Sequence, residues 1–353
     1  MVALEGGRDY PRSVGEFLAW FGTDEDCRDY LAWLRWPDGF LCDECGRVGG
    51  WQLADGRWEC AACSHRTSVT AGTIFDRTRT PLTVWFHACW AFATAKDGIS
   101  ALSLQRTLQI GSYQTGWAML HRLRSALIRP GRELLSGPVE VDETSIGGEE
   151  AGLAGGRAKG KKALVAVAVE VTSPTGFGRC RARVIPDGSA KTLHAFITDN
   201  VAVGSTVITD GWSGYRGIEA AGYSHDRRSQ RAAKAAGEDP GELLPAVHRV
   251  ASLIKRWLLG THHGSVDTAH LPAYMNEFVF RFNRRRSRSR GLVFYRLLQL
   301  AVDHDPVRYE DLIITKRPER TSPPPPQARG NPPSLDRPRA NRPWRTPDQR
   351  RSG

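Results

Sequence analysis

Residues 138–144 read PVEVDET, an apolar–polar alternation that predicts a short β-strand carrying Asp142 at its end. Residues 207–212, VITDGW, repeat this pattern after 67 intervening residues and place Asp210 at the end of a second strand. A sheet fixes the position of a carboxylate at a strand end, while the adjoining loop leaves it accessible. Two such carboxylates on neighbouring strands can share divalent metal ions, which suits phosphoryl-transfer chemistry.

A basic helix is predicted after the second carboxylate. An apolar stripe at helical spacing marks it, formed by Val247, Val250, Ala251, Ile254 and Leu258. His248 and Lys255 are seven positions apart, or two helical turns, so they share the face beside this stripe. If the stripe packs on the sheet, both side chains point toward the acidic strand ends.

The segment between the carboxylates supplies the rest of a mixed sheet. Residues 163–171, ALVAVAVEV, form a nearly continuous apolar run, as expected of a central strand. Residues 179–185 alternate basic and apolar side chains, and Ser189 opens a predicted helix at 190–200. Three successive strands, a helix, another strand and later helices are the element order of an RNase H-like α/β domain. We place this domain at 133–315, with helices flanking the sheet.

Four of the seven cysteines form two CxxC pairs, Cys42–Cys45 and Cys60–Cys63, separated by 14 residues. Two pairs at this separation can supply four thiolates to one tetrahedral Zn²⁺, the pattern of a zinc ribbon. The spacing therefore predicts a zinc ribbon at 38–70 rather than four unligated core cysteines.

Helical patterns lie on both sides of the predicted ribbon. Residues 1–37 form an N-terminal helical segment, and residues 71–132 include helices at 100–108 and 113–127. The spacing of the last two resembles a helix-turn-helix, whose later helix enters the major groove of DNA. The candidate DNA contacts on that helix are Gln114, His121, Arg122 and Arg124. The alternative is a helical hairpin that braces the catalytic domain.

The charge of the chain points to a polyanionic partner. The formal net charge is +11, and residues 316–353 hold ten Lys or Arg against three Asp or Glu. The same segment contains ten prolines, which predicts a disordered basic tail. A second basic block includes Arg284, Arg285 and Arg286 and suits backbone phosphates.

Cysteine usage and hydropathy indicate the compartment. Metal-type cysteine pairs favour a reducing environment over a disulfide framework. No apolar run in the sequence approaches the ~20 residues that a membrane span needs, and residues 1–9 lack the apolar core of a signal peptide. We expect a cytoplasmic, nucleoid-associated protein that does not enter a membrane.

Together these stretches resemble the bacterial insertion-sequence transposases of the DDE superfamily, in the branch with an N-terminal zinc ribbon. The resemblance covers residues 10–315 and is carried by CDEC…CAAC, VDETSIGG, VITDGWSGY, HRVASLIKRWLLGTHHG and EFVFRFNRRRSRSR. It implies an RNase H-like catalytic domain with two divalent metal ions, Mg²⁺ or Mn²⁺. It also implies nicking at the ends of a mobile element and attack of the freed 3′-hydroxyl on target double-stranded DNA. Such enzymes usually act as dimers or larger assemblies.

The resemblance carries over to individual residues. Asp142 and Asp210 match the first two metal ligands, and Lys255 matches the basic residue seven positions after the third. The commonest superfamily pattern has Glu at the third position, whereas this chain has His248, and Mg²⁺ prefers oxygen ligands. His248 as a member of the site is the favoured interpretation. The alternatives are a substitute carboxylate and no third ligand. The candidate substitutes are Glu242 and Glu277.

The sequence thus predicts a DNA transposase with catalytic residues Asp142, Asp210, His248 and Lys255. One alternative is a DNA-binding protein on the same scaffold that lost activity through His248. Another is a zinc-ribbon nuclease without strand transfer. A decayed site has no reason to retain both aspartates and the lysine, which favours the enzyme.

Overall fold

The computed structural model describes residues 4–129, 131–147, 162–172, 176–237, 239–264, 266–313, 344 and 346–347. The chain divides into two compact units, one formed by Met1–Arg129 with Ser287–Gly353 and the other by Pro130–Arg286. Most of the basic segment 316–353, predicted to be disordered, lies outside the described residues.

The described helices and strands are these, in chain order. The helices are α1 (Val14–Trp20), α2 (Asp24–Arg35), α3 (Leu82–Thr94), α4 (Ala101–Leu108), α5 (Tyr113–Ser125), α6 (Ala190–Asn200), α7 (Gln230–Ala235), α8 (Pro245–His262), α9 (Leu271–Asn283), α10 (Arg290–Asp303) and α11 (Tyr309–Leu312). The strands are β1 (Gly50–Gln52), β2 (Trp58–Cys60), β3 (Arg66–Thr67), β4 (Pro138–Ile146), β5 (Ala163–Val171), β6 (Phe177–Ile185), β7 (Thr206–Thr209) and β8 (Ser224–Arg227). None of the helices in the described ranges combines the length and apolar character needed to span a membrane.

Aromatic packing organises the first unit. Ser13 caps α1 by accepting a hydrogen bond from the backbone N–H of Glu16. The rings of Phe17 and Phe21 then pack edge-on or tilted against Phe294 of α10, with centroids 5.6 and 5.8 Å apart. Edge-to-face and offset contacts are the favourable arrangements of aromatic pairs. The α10 helix is therefore built into the core made by the first helices.

The cysteine-rich segment folds as a small antiparallel sheet in the order β1-β2-β3. Phe40 stacks on Trp58 with ring centroids 5.3 Å apart. Gly50 in β1 has no room for a side chain, because a Cβ there would lie 2.3 Å from the carbonyl oxygen of Glu59. Glycine at this position therefore lets β1 lie close against β2.

Helices α4 and α5 pack closely on each other. Gly116 makes this possible, since a Cβ at this position would lie 3.2 Å from the carbonyl oxygen of Ala101. Ser100 and Ser112 cap the two helices through the backbone N–H groups of Ser103 and Thr115. The α5 helix begins at the predicted residue and ends two residues early, and α4 begins one residue later than predicted, with Ser100 as its N-cap.

A five-stranded mixed sheet forms the centre of the second unit, in the order β6-β5-β4-β7-β8. The strands β4, β5 and β6 pair antiparallel, whereas β7 pairs parallel with both β4 and β8. In the β4–β7 register Val139 lies opposite Val207 and Glu140 opposite Ile208. The acidic strand β4 is therefore central, and β7 is its parallel neighbour.

Helices cover both faces of this sheet. Val139 and Val141 belong to the core beneath α6, while Val167 and Ile208 belong to the core beneath α8 and α9. Because successive side chains alternate between faces, the even-numbered residues of β4 point toward α8. The second unit is a mixed sheet flanked by helices, as predicted for this region.

Candidate active site and metal centre

The sequence predicted Asp142 at the end of a strand, but β4 continues to Ile146 and Asp142 lies inside it, opposite Val167 of β5. Asp210 directly follows β7, which ends at Thr209, as predicted. Each lies two residues beyond the paired residues Glu140 and Ile208. Adjacent strands run about 4.8 Å apart, and Asp142 continues the series of β4 side chains that faces α8. The Asp142 side chain retains 17% of its exposure. The fold therefore places the two predicted carboxylates at neighbouring positions across the β4–β7 pair.

A tight turn after β7 fixes Asp210. Its Oδ1 accepts a hydrogen bond from the backbone N–H of Trp212 at 2.9 Å. Gly211 adopts φ 82°, a left-handed conformation that glycine tolerates without strain. The indole Nε1 of Trp212 donates to the carbonyl of Gly188 at 3.0 Å, and Gln230 reaches Asp210 Oδ2 at 3.4 Å. The TDGW stretch thus holds the carboxylate with its own backbone.

The end of β7 is tied to the edge strand β8. The buried Thr209 hydroxyl lies 2.9 Å from Nε2 of His225, and Nδ1 of His225 lies 3.4 Å from Glu219. Burial lowers the pKa of His225, an effect that Glu219 opposes. The same hydroxyl accepts the backbone N–H of Gly211 at 3.3 Å. Sequence patterns did not single out Thr209 or His225, because their contact depends on the pairing of β7 with β8.

His248 contacts Asp142 directly. Its Nε2 lies 3.3 Å from Asp142 Oδ2, and its Nδ1 lies 2.9 Å from the carbonyl oxygen of Gly241. A carbonyl oxygen only accepts, so Nδ1 carries a proton and donates it to Gly241. The hydrogen bond to Asp142 raises the pKa of His248 to about 9, with burial acting against it and Gly241 adding to it. The structure joins the first and third positions of the predicted site.

Glu140 is a buried acidic residue that the sequence did not single out. Only 2% of it is exposed, and its Oε2 accepts the backbone N–H of Val247 at 2.9 Å. Burial raises the pKa of Glu140, while hydrogen bonds from the backbone N–H groups of Val247 and Ala246 act to lower it. Val247 is 107 residues away in the chain, so strand alternation alone could not have identified this contact.

The remaining positions considered for the site differ in exposure. Lys255 is exposed on α8, two turns beyond His248. Glu242 is exposed in the turn just before α8. Glu277 is fully buried in α9, where its carboxylate lies 3.9 Å from Arg281. His248 is thus the candidate third residue with a direct contact to Asp142.

The four cysteines form a compact cluster. The sulfur atoms of Cys42 and Cys63 are 3.7 Å apart, those of Cys45 and Cys60 are 3.6 Å apart, and all four lie within 4.8 Å of one another. Zn–S bonds of ~2.3 Å in a tetrahedron require S···S distances of about 3.8 Å. The cluster therefore has the dimensions of a zinc site.

Hydrogen bonding also prepares this cluster for a metal ion. The backbone N–H of Ala62 donates to Cys60 Sγ at 3.4 Å and lowers the pKa of that thiol. Within the described ranges, no other group of three or more potential ligands lies this close together. Asp142, Asp210 and His248 do not converge to 4.8 Å.

The predicted DNA-contacting positions of α5 are mostly enclosed. His121 is 3% exposed and lies against Trp117, and Arg124 is 1% exposed. Arg122 donates from Nε to the carbonyl oxygen of Val307 at 2.9 Å. Burial leaves Arg124 no surface for DNA, and Gln114 is the exposed member of the four candidates.

The three arginines after α9 have different environments. Arg284 lies over the ring of Phe280, 3.9 Å from its centroid. Arg285 donates to the carbonyl oxygen of Gly178 at 3.1 Å, which ties α9 to β6. Arg286 is exposed. The basic block therefore combines structural and solvent-facing guanidinium groups.

Comparison with known proteins agrees with this geometry. Residues 134–283 match the family model of the ISXO2-like transposase domain, and residues 22–66 match that of the transposase zinc-ribbon domain. The chain is also 27% identical over 287 residues to an uncharacterized protein in transposable element ISH50 of Halobacterium salinarum. That similarity covers 74% of this chain and 91% of the relative.

The two family matches identify a transposase zinc ribbon followed by a transposase domain, here a mixed sheet with Asp142 on β4 and Asp210 just after β7. The chain belongs to the IS1595-type insertion-sequence transposases of the DDE superfamily, in the branch with an N-terminal zinc ribbon.

Proposed function

We propose that this chain cleaves DNA at the ends of its mobile element and joins the 3′ ends to target DNA by metal-dependent phosphoryl transfer. The observation that carries the proposal is the contact between His248 and Asp142, 3.3 Å apart, beside an aspartate in matched register on the next strand. The three potential ligands are thus Asp142 on β4, Asp210 just after β7 and His248 on α8.

The sheet order supports an RNase H-like catalytic fold. An antiparallel β6-β5-β4 meander continues into the parallel strands β7 and β8, with α6 between β6 and β7 in the chain. In this arrangement the first strand is central and its neighbour is the fourth, so acidic residues far apart in sequence meet.

His248 would ligate a metal through Nε2 after this nitrogen gives up the proton it shares with Asp142, because only a neutral imidazole binds a metal ion. Its Nδ1–H is committed to the carbonyl of Gly241, which leaves Nε2 as the atom that faces Asp142. Metal-ligating histidines commonly donate their other ring N–H to a carbonyl or carboxylate. Asp142 and Asp210 would supply the oxygen ligands that Mg²⁺ and Mn²⁺ accept. The wider spacing of Asp210 suits a site in which not every residue binds the same ion.

Bound divalent ions would stabilise the attacking and leaving oxygens of the phosphodiester. The residues of the chain would orient the DNA around these ions. Lys255, exposed two turns from His248, would hold a backbone phosphate as a point charge, and Arg286 would add a further phosphate contact. The zinc ribbon would take part in binding the element ends, and the active species would be a homodimer or larger assembly on double-stranded DNA.

A strand-transfer assay tests the proposal. Pre-cleaved element ends are incubated with target DNA and wild type, His248→Ala or His248→Glu, each in Mg²⁺ and in Mn²⁺. His263→Ala is the matched control, because His263 is exposed at the far end of α8. We expect joining by wild type and the control and its loss in His248→Ala.

Each outcome separates the candidate functions. Cleavage without joining would point to a nuclease. If wild type only binds DNA and His248→Glu restores joining, the chain is a decayed enzyme that retains DNA binding. Full joining by His248→Ala would remove His248 from the site.

A further inference from the structure

Helix α8 begins with backbone donors that its own sequence does not satisfy. Its N-cap residue, Leu244, makes no side-chain cap, and Pro245 has no N–H. The backbone N–H of His248 already bonds the carbonyl of Leu244 at 3.1 Å. The orphan donors of the first turn are therefore those of Ala246 and Val247, both only 1% exposed.

A strand residue provides the missing cap. Glu140 on β4 accepts the N–H of Val247 at 2.9 Å and receives a further hydrogen bond from Ala246. A carboxylate at a helix N-terminus satisfies the free donors and interacts favourably with the helix dipole. A buried carboxylate is otherwise costly, so this contact accounts for Glu140 in the core.

The cap lies next to the catalytic contact. His248 directly follows the capped pair, and Asp142 lies two residues after Glu140 on the same strand face. Strand β4 thus carries both Glu140, which caps α8, and Asp142, which His248 of α8 contacts. A shift of the helix relative to β4 would break both contacts together.

We propose that Glu140 is a positioning residue that sets His248 against Asp142 by capping α8. The inference rests on the proposed function for its catalytic consequence, but the cap itself can be measured without activity. Glu140 acts through the helix and touches neither DNA nor the reacting atoms.

The test compares Glu140→Ala and Glu140→Gln with a matched control, Glu170→Ala. Glu170 lies on β5 of the same sheet, opposite Val139, and also accepts two backbone N–H groups, from Ser136 at 3.1 Å and Arg179 at 2.8 Å. A misplacement of about 1 Å can cost about 100-fold in rate. We expect a loss of that order in single-turnover joining for Glu140→Ala. Glu140→Gln, whose amide oxygen still accepts, should lose far less. DNA affinity should not change.

A double variant distinguishes positioning from general weakening. If Glu140 acts through His248, then Glu140→Ala combined with His248→Ala should join no more slowly than His248→Ala alone. Glu170→Ala should lower the melting temperature and leave joining by the folded protein unchanged. Wild-type joining by Glu140→Ala, or losses that multiply in the double variant, would overturn the proposal.

Amide hydrogen exchange provides the readout that does not need activity. In Glu140→Ala the amides of Ala246 and Val247 should lose protection while the rest of α8 keeps it. If wild type joins no DNA yet this local loss occurs, the proposed function fails and the capping role stands. Unchanged protection at these amides would refute the capping role whether or not the wild type is active.

Discussion

The hydroxyl of Tyr215 donates a hydrogen bond to Glu143 Oε2 at 2.9 Å, which links the turn after β7 to β4. Tyr215 is fully buried; burial and the charge of Glu143 raise its pKa well above the usual range. Glu143 alternates to the face opposite Asp142. The turn after β7 is thus joined to β4 by a side-chain contact on the α6 face of the sheet, in addition to the backbone pairing of β4 with β7.

Removing this hydroxyl tests whether the link matters for catalysis. Tyr215→Phe should lower the free energy of unfolding by about 1–3 kcal/mol, because a buried acceptor loses its donor. It should also slow nicking, since the turn that carries Asp210 is released. Urea unfolding and single-turnover nicking measure the two effects.

Tyr223→Phe is the control for that variant. Tyr223 is buried in the same core and donates to the carbonyl of Val201 at 2.9 Å. It should lose similar stability but keep its nicking rate. Equal nicking by both variants would show that the Tyr215 contact is only structural.

Local patterns predicted the elements of the fold well, and long-range contacts poorly. The apolar run 163–171 and the helix 190–200 correspond to β5 and α6 at the predicted residues. Asp210 was identified because the end of a strand has a local signature. Asp142 was recognised as a strand residue, although its strand runs on to Ile146. The roles of Glu140 and Thr209 depend on which strands and helices become neighbours, which periodicity does not encode.

The sequence also did not predict which charged side chains are buried. Arg124 sits in a helix whose polar positions suggested a DNA-facing surface, yet its guanidinium is enclosed in the first unit. Which face of a helix is covered depends on its neighbours as well as its own pattern. The packing of Trp344 was not predicted either. This residue belongs to the segment predicted to be disordered, yet its ring packs edge-on against Tyr30 with ring centroids 4.9 Å apart.

The cysteine cluster predicts one zinc ion per chain. Cys60→Ser should abolish zinc binding, because Cys60 contributes a sulfur 3.6 Å from that of Cys45. Cys27→Ala is the matched control, since Cys27 is buried in α2 outside the cluster. Metal analysis of the purified proteins should find zinc in wild type and the control but not in Cys60→Ser. Wild type without zinc would contradict the ribbon assignment.

The pair of Glu170 and Arg179 predicts a pH-dependent contribution to stability. Burial tends to raise the pKa of Glu170, but hydrogen bonds from Arg179 and from backbone N–H groups outweigh it, so the pKa is lowered. A carboxylate whose pKa is lower in the folded than in the unfolded state stabilises the protein at pH values above its unfolded-state pKa. This stabilisation is lost as the pH falls through the folded-state pKa. Glu170→Gln should therefore melt below wild type at pH 7, and the gap should narrow on acidification.

Melting curves across the acidic range measure this difference. Glu310→Gln is the control, because Glu310 is exposed in the short helix α11. Its melting temperature should follow that of wild type at every pH. A gap for Glu170→Gln that stays constant down to the acid limit would contradict the assigned pKa shift.

Substitutions of the neighbouring residues Arg285 and Arg286 should have different effects. Arg285 donates to the carbonyl of Gly178 and lies 3.9 Å over the ring of Phe282, so Arg285→Ala should lower the melting temperature. The exposed Arg286 has no such burial, and Arg286→Ala should leave melting unchanged while weakening DNA binding. Removal of one phosphate-binding side chain reduces the slope of log affinity against log salt by about 1. Fluorescence anisotropy with double-stranded DNA at several salt concentrations measures that slope. An unchanged slope in Arg286→Ala would remove this arginine from the DNA interface, because a true phosphate contact releases counterions on binding.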